Sequence, residues 1–257
     1  MKEKKKVVFI ASYSFSGSTM LDMVLGGNDR AVSGGEIYAF SPGLLAEGSK
    51  KLCSCGNSAL ECKFWRNIKY RISENMSVDY WRLPKLKMDK LFRPCLHADT
   101  SEMDGYHNNC YALIHAMMKE KNASVFIDSS KNMPRLLMLL YSGLYDLRIV
   151  VLKRSTKGIV NSLRKRNIPY LKALFNHKMY YFLINRLIKK HKIYSNVVRV
   201  SYEELVKNPE SEIRRICNAT GIQFQSEMLK MQPSELHILS GNKEAMDSRD
   251  AGIRIPS

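Results

Sequence analysis

No run of about 18 apolar residues occurs in this 257-residue sequence, so no transmembrane helix is expected. Internal repeats and low-complexity tracts are also missing, which excludes solenoid and fibrous designs. A signal peptide is not evident. Residues 1–6 are basic, but the apolar stretch behind them spans only residues 7–11, and residues 12–18 are polar and contain glycine. That stretch reads as a first buried strand, and the chain reads as cytoplasmic. Cysteine is sparse and uneven: Cys53, Cys55 and Cys62 cluster, while Cys95, Cys110 and Cys217 are scattered, which is no small disulfide scaffold. Acidic residues are short as well, 24 against 41 Lys and Arg, for a net charge of +17. Such a balance favours anionic partners such as a multiply charged nucleotide, a nucleic acid, an acidic membrane surface or an anionic acceptor. No nucleic-acid module and no aromatic platform with flanking basic residues is found, so nucleic acid is set aside. Much of the basic charge lies in stretches 85–90 and 186–192, which read as solvated helical faces.

The remaining pattern is an alternation. Short apolar runs at residues 7–11, 32–36, 125–128, 147–152 and 197–200 read as strands. Helical patterns at 19–25, 106–121, 134–142, 156–166, about 171–194 and 209–221 lie between and after them, the last with Gly221 as its cap. The expected fold class is α/β, a three-layer sandwich around a central parallel sheet of about five strands. Ligands of such sheets sit at the carboxyl ends of the strands. The polar residues there are 14–19, Glu36, 128–131, Arg154, Ser155 and Tyr202.

Two segments carry chemistry. The first, Ser12-Tyr13-Ser14-Phe15-Ser16-Gly17-Ser18-Thr19, joins strand one to helix one. A small, hydroxyl-rich turn lets backbone N–H groups approach a phosphate, and the helix N-terminus adds a favourable dipole. It is not a Walker A loop, because Ser18 stands where G-x-x-x-x-G-K-S/T needs lysine. In the second segment Arg154 directly follows strand four and Ser162 lies eight residues on, in the next helix. A guanidinium at a strand end binds phosphate bidentately, and a hydroxyl adds a donor. Taken singly, each segment also fits a plain strand–helix turn or an exposed arginine.

Together, in this order and spacing, they resemble the family of sulfotransferases that use 3′-phosphoadenosine 5′-phosphosulfate (PAPS), whose fold is related to P-loop kinases. Ser16-Gly17-Ser18-Thr19-Met20-Leu21 is similar to the family's 5′-phosphosulfate loop, and Arg154 with Ser162 to its 3′-phosphate pair. Gly34-Gly35-Glu36, Tyr202-Glu203-Glu204-Leu205 and His237 with Gly241-Asn242 are also similar. Cys53-Ser54-Cys55-Gly56, Cys62 with Phe64-Trp65, and Asp128-Ser129-Ser130-Lys131 resemble segments of one bacterial-type branch. The resemblance implies a P-loop NTPase-like fold in one domain over residues 1–257, with acceptor-site insertions at about 41–110 and 165–190. It implies transfer of a sulfuryl group from PAPS to an acceptor hydroxyl or amine, with PAP as product. Nucleotide contacts would come from Ser14, Phe15, Ser16, Gly17, Ser18, Thr19, Met20, Arg154, Ser162, Tyr202 and Asn242. The basic surface leans towards a polar or anionic acceptor such as a carbohydrate; lipid, phenol and peptide acceptors stay open. The rival readings are a nucleotide kinase of related fold, weakened by the absent Walker lysine, and a non-catalytic PAP or PAPS binder.

Sulfuryl transfer needs positioning, charge neutralisation and a base for the acceptor proton, and no metal is required by that logic. Glu36, where the resemblance places a catalytic carboxylate, is the expected base, with His97, His107, His115 and His237 as rivals. Phe15 stands where many family members carry Lys or Arg. Lys131 is the expected substitute, with Arg135 in reserve. Ala245 stands where the branch often has Arg, and Arg249 or Arg254 would compensate. The cysteine cluster is assigned a structural role. C-x-C-x₆-C is not a standard zinc spacing, although His97 or Cys95 would complete a set of four ligands.

Overall fold

The computed structural model describes residues 3–73, 85–88, 94–97, 100–165, 169–230 and 233–241. In chain order the elements are β1 (Lys5–Ala11), α1 (Ser18–Gly26), β2 (Ala31–Ser33), α2 (Lys63–Ser73), β3 (Lys85–Met88), β4 (Pro94–His97), α3 (Thr100–Glu120), β5 (Val125–Asp128), α4 (Met133–Tyr141), β6 (Tyr145–Lys153), α5 (Thr156–Arg164), α6 (Tyr170–His191), β7 (Val197–Ser201), α7 (Tyr202–Lys207) and α8 (Pro209–Thr220).

Five strands form one parallel sheet in the order β2-β5-β1-β6-β7. β1 is central, and its five apolar residues, Val7 to Ala11, have no exposed surface. Burying a Val, Ile or Phe side chain is worth about 1.5–3 kcal/mol, so a strand hidden on both faces anchors the fold. Side chains alternate between faces. Val7, Phe9 and Ala11 join the core with Trp65 and Ile68 of α2, Ile114 and Met117 of α3, Leu136 and Leu137 of α4, and Ile184 and Leu187 of α6. Val8 and Ile10 face Leu21, Val24 and Leu25 of α1, Leu205 of α7, and Ile213 and Ile216 of α8. This is the three-layer α/β arrangement expected from the sequence.

Helix ends follow local chemistry. Asn132 caps α4 by accepting from Arg135 N, and Ser155 caps α5 by accepting from Gly158 N. α8 stops at Gly221, whose φ of 70° is left-handed, as expected of that glycine. Two expectations fail. The described part of the stretch expected as a helical face, Lys85–Met88, is not helical: it pairs antiparallel with Pro94–His97. The lysine-rich stretch alternates with Leu86 and Met88, a period of two that serves a strand as well as a polar surface. The second strand is also shorter than 32–36. It ends at Ser33: Gly34 N–H still reaches Ile127 O on β5 (2.8 Å), but Gly35 takes a left-handed φ of 58°, which breaks the extended backbone.

β1 has β5 on one side and β6 on the other, so the chain changes direction across the sheet at β1. The loops leaving β1, β5 and β6 open at that switch point, where α/β sheets bind ligands.

Candidate functional site

The loop after β1 carries two strained positions. Phe15 has φ of 66° and Gly17 has φ of 87°. Gly17 is the N-cap of α1, and no side chain caps that helix. A Cβ on Gly17 would lie 2.5 Å from the ring of Tyr202, so glycine is required both for the backbone and for that close approach. Ser18 and Thr19 open the helix, both buried, with Met20 packed against the lower core. The amides of this first turn have no intrahelical acceptor by construction, and the first turn contains no acidic residue.

Arg154 and Ser162 meet, as their spacing implies. Arg154 Nη1 donates to Ser162 Oγ (3.1 Å) and to Phe15 O (3.0 Å). Its guanidinium lies over the Tyr202 ring, 4.3 Å from the centroid. Gly158 makes room for it, since a Cβ there would stand 2.7 Å from Arg154 Nε. That Nε–H is buried with no partner among the described residues, a strong donor left unsatisfied. Glu203 fixes the turn from below. Its carboxylate accepts from Ser155 N (3.0 Å) and Ser201 Oγ (3.1 Å), and these hydrogen bonds hold its pKa below the usual value against the opposing effect of burial. Residues 15, 17, 154, 162 and 202, scattered over the sequence, therefore form one cationic, glycine-lined corner.

Glu36 and Lys131 face each other across the neighbouring cleft. Lys131 Nζ donates to Glu36 Oε1 at 2.6 Å, with both side chains partly exposed. Their loops are pinned together by Ser129 N donating to Gly35 O (3.0 Å) and Tyr38 N donating to Ser130 Oγ (3.1 Å). Lys131 has a left-handed φ of 59°, a conformation that costs a non-glycine residue roughly 1–2 kcal/mol. With Phe15 it puts two of the strained non-glycine residues beside one cleft, as functional sites often do. The cleft has a volume of about 280 Å³, and Ser14, Tyr13, Asn132 and Tyr180 complete its walls around the pair.

Arg135 is not available as a reserve cation. It is 2 % exposed, bonded to Asp128 Oδ2 (2.9 Å) and to Tyr106 Oη (3.1 Å). Removing one partner of such a buried pair leaves an uncompensated charge. The pair therefore holds the 128–131 loop rather than meeting a ligand. His115 stacks on Tyr111 at the opposite, amino end of β1, where burial, and after it the charge of Lys5, holds its pKa below the ordinary histidine value. His107 is held below the ordinary histidine pKa by burial. His237 Nδ1 faces Cys62 Sγ at 3.3 Å. None of these three histidines lines the Glu36 cleft. Asn242, Ala245, Arg249 and Arg254 lie outside the described residues, as do the side chains of Cys95 and His97.

Sequence reasoning missed Tyr180 and Tyr181, and it gave Tyr13 no role beyond its place in the loop after strand one. Tyr181 Oη accepts from Tyr13 N (3.3 Å) and donates to Leu152 O (2.6 Å), which ties α6 to the loop after β1. Nothing local marks a tyrosine pair in a long helix as part of a site. Asp22 was missed too. It is fully buried and accepts from Ser33 Oγ (2.6 Å), and burial raises its carboxyl to about 7.

Comparison with known proteins bears on the family and the fold. A family model described as "Sulfotransferase family" matches residues 8–226. Among solved structures the chain is similar to the sulfotransferase domain from the Synechococcus PCC 7002 olefin synthase, with a TM-score of 0.50 and 19 % identity over 90 % of this chain and 78 % of that one. It is also similar to the sulfotransferase domain from the curacin biosynthetic pathway, with a TM-score of 0.51 and 15 % identity over 89 % of this chain and 78 % of that one. At such identities the likeness shows the fold. No curated protein matches the sequence. Among the described residues no helix is long and apolar enough to cross a membrane.

Proposed function

We propose, for a chain that belongs to the sulfotransferase family, that it transfers a sulfuryl group from PAPS to an acceptor hydroxyl or amine. The observation that carries this reading is the Arg154–Ser162 contact of 3.1 Å, set on Phe15 O beside the uncapped start of α1. A 3′-phosphate and a 5′-phosphosulfate are two anions on one nucleotide, and the corner offers two separate anion sites. The unsatisfied Arg154 Nε–H fits such a ligand. ATP lacks the 3′-phosphate, and Ser18 leaves no Walker lysine, which disfavours the kinase reading.

Bound PAPS supplies an activated sulfuryl group. The remaining work belongs to this chain. Backbone amides at the start of α1, with Ser18 and Thr19, hold the 5′ end. Arg154 and Ser162 hold the 3′-phosphate, and Tyr202 keeps the guanidinium in place. Glu36 takes the acceptor proton as the new bond to sulfur forms. Lys131 meets the negative charge left on the departing phosphate oxygen, in place of the basic residue absent at Phe15. The 2.6 Å contact of Glu36 with Lys131 supports pairing a base with a cation, because proton loss and leaving-group departure must be coordinated. The net charge of +17 supports a polar or anionic acceptor such as a carbohydrate.

A non-catalytic PAP binder would share the Arg154 corner but would have no need of Glu36. Calorimetry with PAP and AMP, followed by transfer from labelled PAPS to a panel of acceptors, separates the readings. PAP is expected to bind far more tightly than AMP, and label is expected on one acceptor class. Equal affinity for AMP and PAP would sink the assignment.

A further inference from the structure

We propose that Cys53, Cys55, Cys62 and His237 bind one zinc ion in a closed, structural site. The sequence supplies three of these residues within ten positions and hides the fourth 175 residues beyond Cys62. The fold brings all four donor atoms to within 4.8 Å of one another. His237 Nδ1 stands 3.3 Å from Cys62 Sγ and 3.9 Å from Cys53 Sγ. Zn–S bonds of about 2.3 Å and Zn–N bonds of about 2.0 Å in a tetrahedron imply S···N edges of about 3.5 Å. The observed separations bracket that value. The cysteines at 53, 55 and 62 are all free thiols. A disulfide would use two of them and leave the third thiol and the imidazole unexplained; a tetrahedral thiophilic cation uses every member.

The surroundings are those of a ligand set held in advance. Cys53 O accepts from Gly56 N (2.9 Å), and Cys53 N donates to Asn57 O (2.9 Å). An isolated antiparallel bridge between Leu52 and Ser58 closes this knuckle. Gly56 has a left-handed φ of 91°, which sharpens the turn. Cys53 and Cys55, two residues apart, thus share a side. Asn57 Nδ2 lies 3.7 Å from Cys55 Sγ, where it can donate to a thiolate. Cys62 directly precedes α2, whose N-terminal dipole favours an anionic sulfur. The His237 ring stacks flat on Phe64, with centroids 5.2 Å apart and planes 8° apart, and Trp65 Nε1 donates to His237 O (2.6 Å). The Cys-x-Phe-Trp segment therefore both ligates and orients.

On binding, three thiols lose their protons to solvent, and neutral His237 coordinates through Nδ1. Four protein donors leave no open position, so the ion takes no part in the transfer chemistry. Its effect is mechanical. Ser54 N donates to Ile238 O (2.9 Å), Ile238 N donates to Ser54 Oγ (2.9 Å), and Glu36 N donates to Ser240 O (2.8 Å). The clamp joins the knuckle and α2 to the segment that holds the backbone of Glu36.

Metal analysis of the full chain, purified without chelator, tests this independently of any activity. One equivalent of zinc per chain is expected. Refilling the stripped protein with cobalt should give the intense visible bands of a tetrahedral thiolate site. Cys62→Ser and His237→Gln should lose the zinc, whereas Cys217→Ser, in α8, should keep it. Thiol counting covers the case in which Cys62→Ser fails to fold: in the native wild-type protein three cysteines should resist alkylation until the metal is removed. Less than a tenth of an equivalent of zinc together with no cobalt bands would overturn the proposal. So would a disulfide among Cys53, Cys55 and Cys62 in freshly purified protein, or zinc retained in both ligand variants.

Discussion

The Arg154 corner and the cysteine–histidine clamp are both tied to the loops around Glu36 but are assembled differently. The corner is built from turns that directly follow β1, β6 and β7, so each functional residue sits a fixed step beyond an apolar run. Arg154 follows the last residue of β6, Tyr202 follows β7, and Gly17 precedes α1. Parallel pairing of β1 with β6, and of β6 with β7, then forces these ends together. The clamp has no such rule. Its fourth donor arrives on an irregular segment after the last long helix, held by Trp65 and Ser54 rather than by a sheet ladder. The corner can thus be changed locally, whereas the clamp reaches the backbone of Glu36 through Ser240.

The strongest way to break the corner is Gly17→Val. A side chain at φ 87° is strained and would meet Tyr202. PAP affinity is expected to fall below detection by calorimetry while circular dichroism still reports a cooperatively folded chain. Full PAP affinity in a folded variant would refute the placement of the loop.

Glu36→Gln asks whether the cleft between the two regions is a reaction centre. The amide keeps size and hydrogen bonding but cannot take a proton. Turnover should drop by about 10²–10⁴ with PAP affinity little changed. Near-normal turnover with the true acceptor would place the base elsewhere.

Asp22 sits behind the seam, on α1 and bonded to Ser33 just before the Gly34–Gly35 turn. Burial raises its pKa from the ordinary 3.8 to about 7, so the folded protein holds a proton that the unfolded chain releases. A raised carboxyl pKa contributes stability that is full below 3.8 and lost as pH rises through about 7. Across that window the wild type should lose up to about 4 kcal/mol relative to Asp22→Asn. Denaturant titrations at a series of pH values check this, and parallel curves for the two proteins would show that Asp22 is ionised throughout.

The smallest expected change is Arg154→Ala. It removes one charged contact and should weaken PAP by about 1.5–3 kcal/mol while leaving AMP almost untouched. An equal loss for both nucleotides would mean that Arg154 supports the loop through Phe15 O and does not read the 3′-phosphate.

The sequence by itself determined the sheet strands to within a few residues, because apolar runs that must be buried on both faces are unmistakable. It also determined the order of the sheet strands and most of the helices, though not the β3–β4 hairpin or α7, and the residues at strand ends where a ligand would sit. The eight-residue step from Arg154 to Ser162 was legible because a strand end and two helical turns fix where both side chains go. Tertiary structure alone decided the rest. It showed Arg135 consumed by Asp128, His237 turned to the cysteines rather than to Glu36, and α6 bringing Tyr180 to the cleft and Tyr181 to the loop after β1. Those outcomes depend on which surfaces pack together over long loops, and neither helical nor strand periodicity carries that information. Local patterning records what each element must bury; only closure of the whole chain decides which polar groups are then left facing one another.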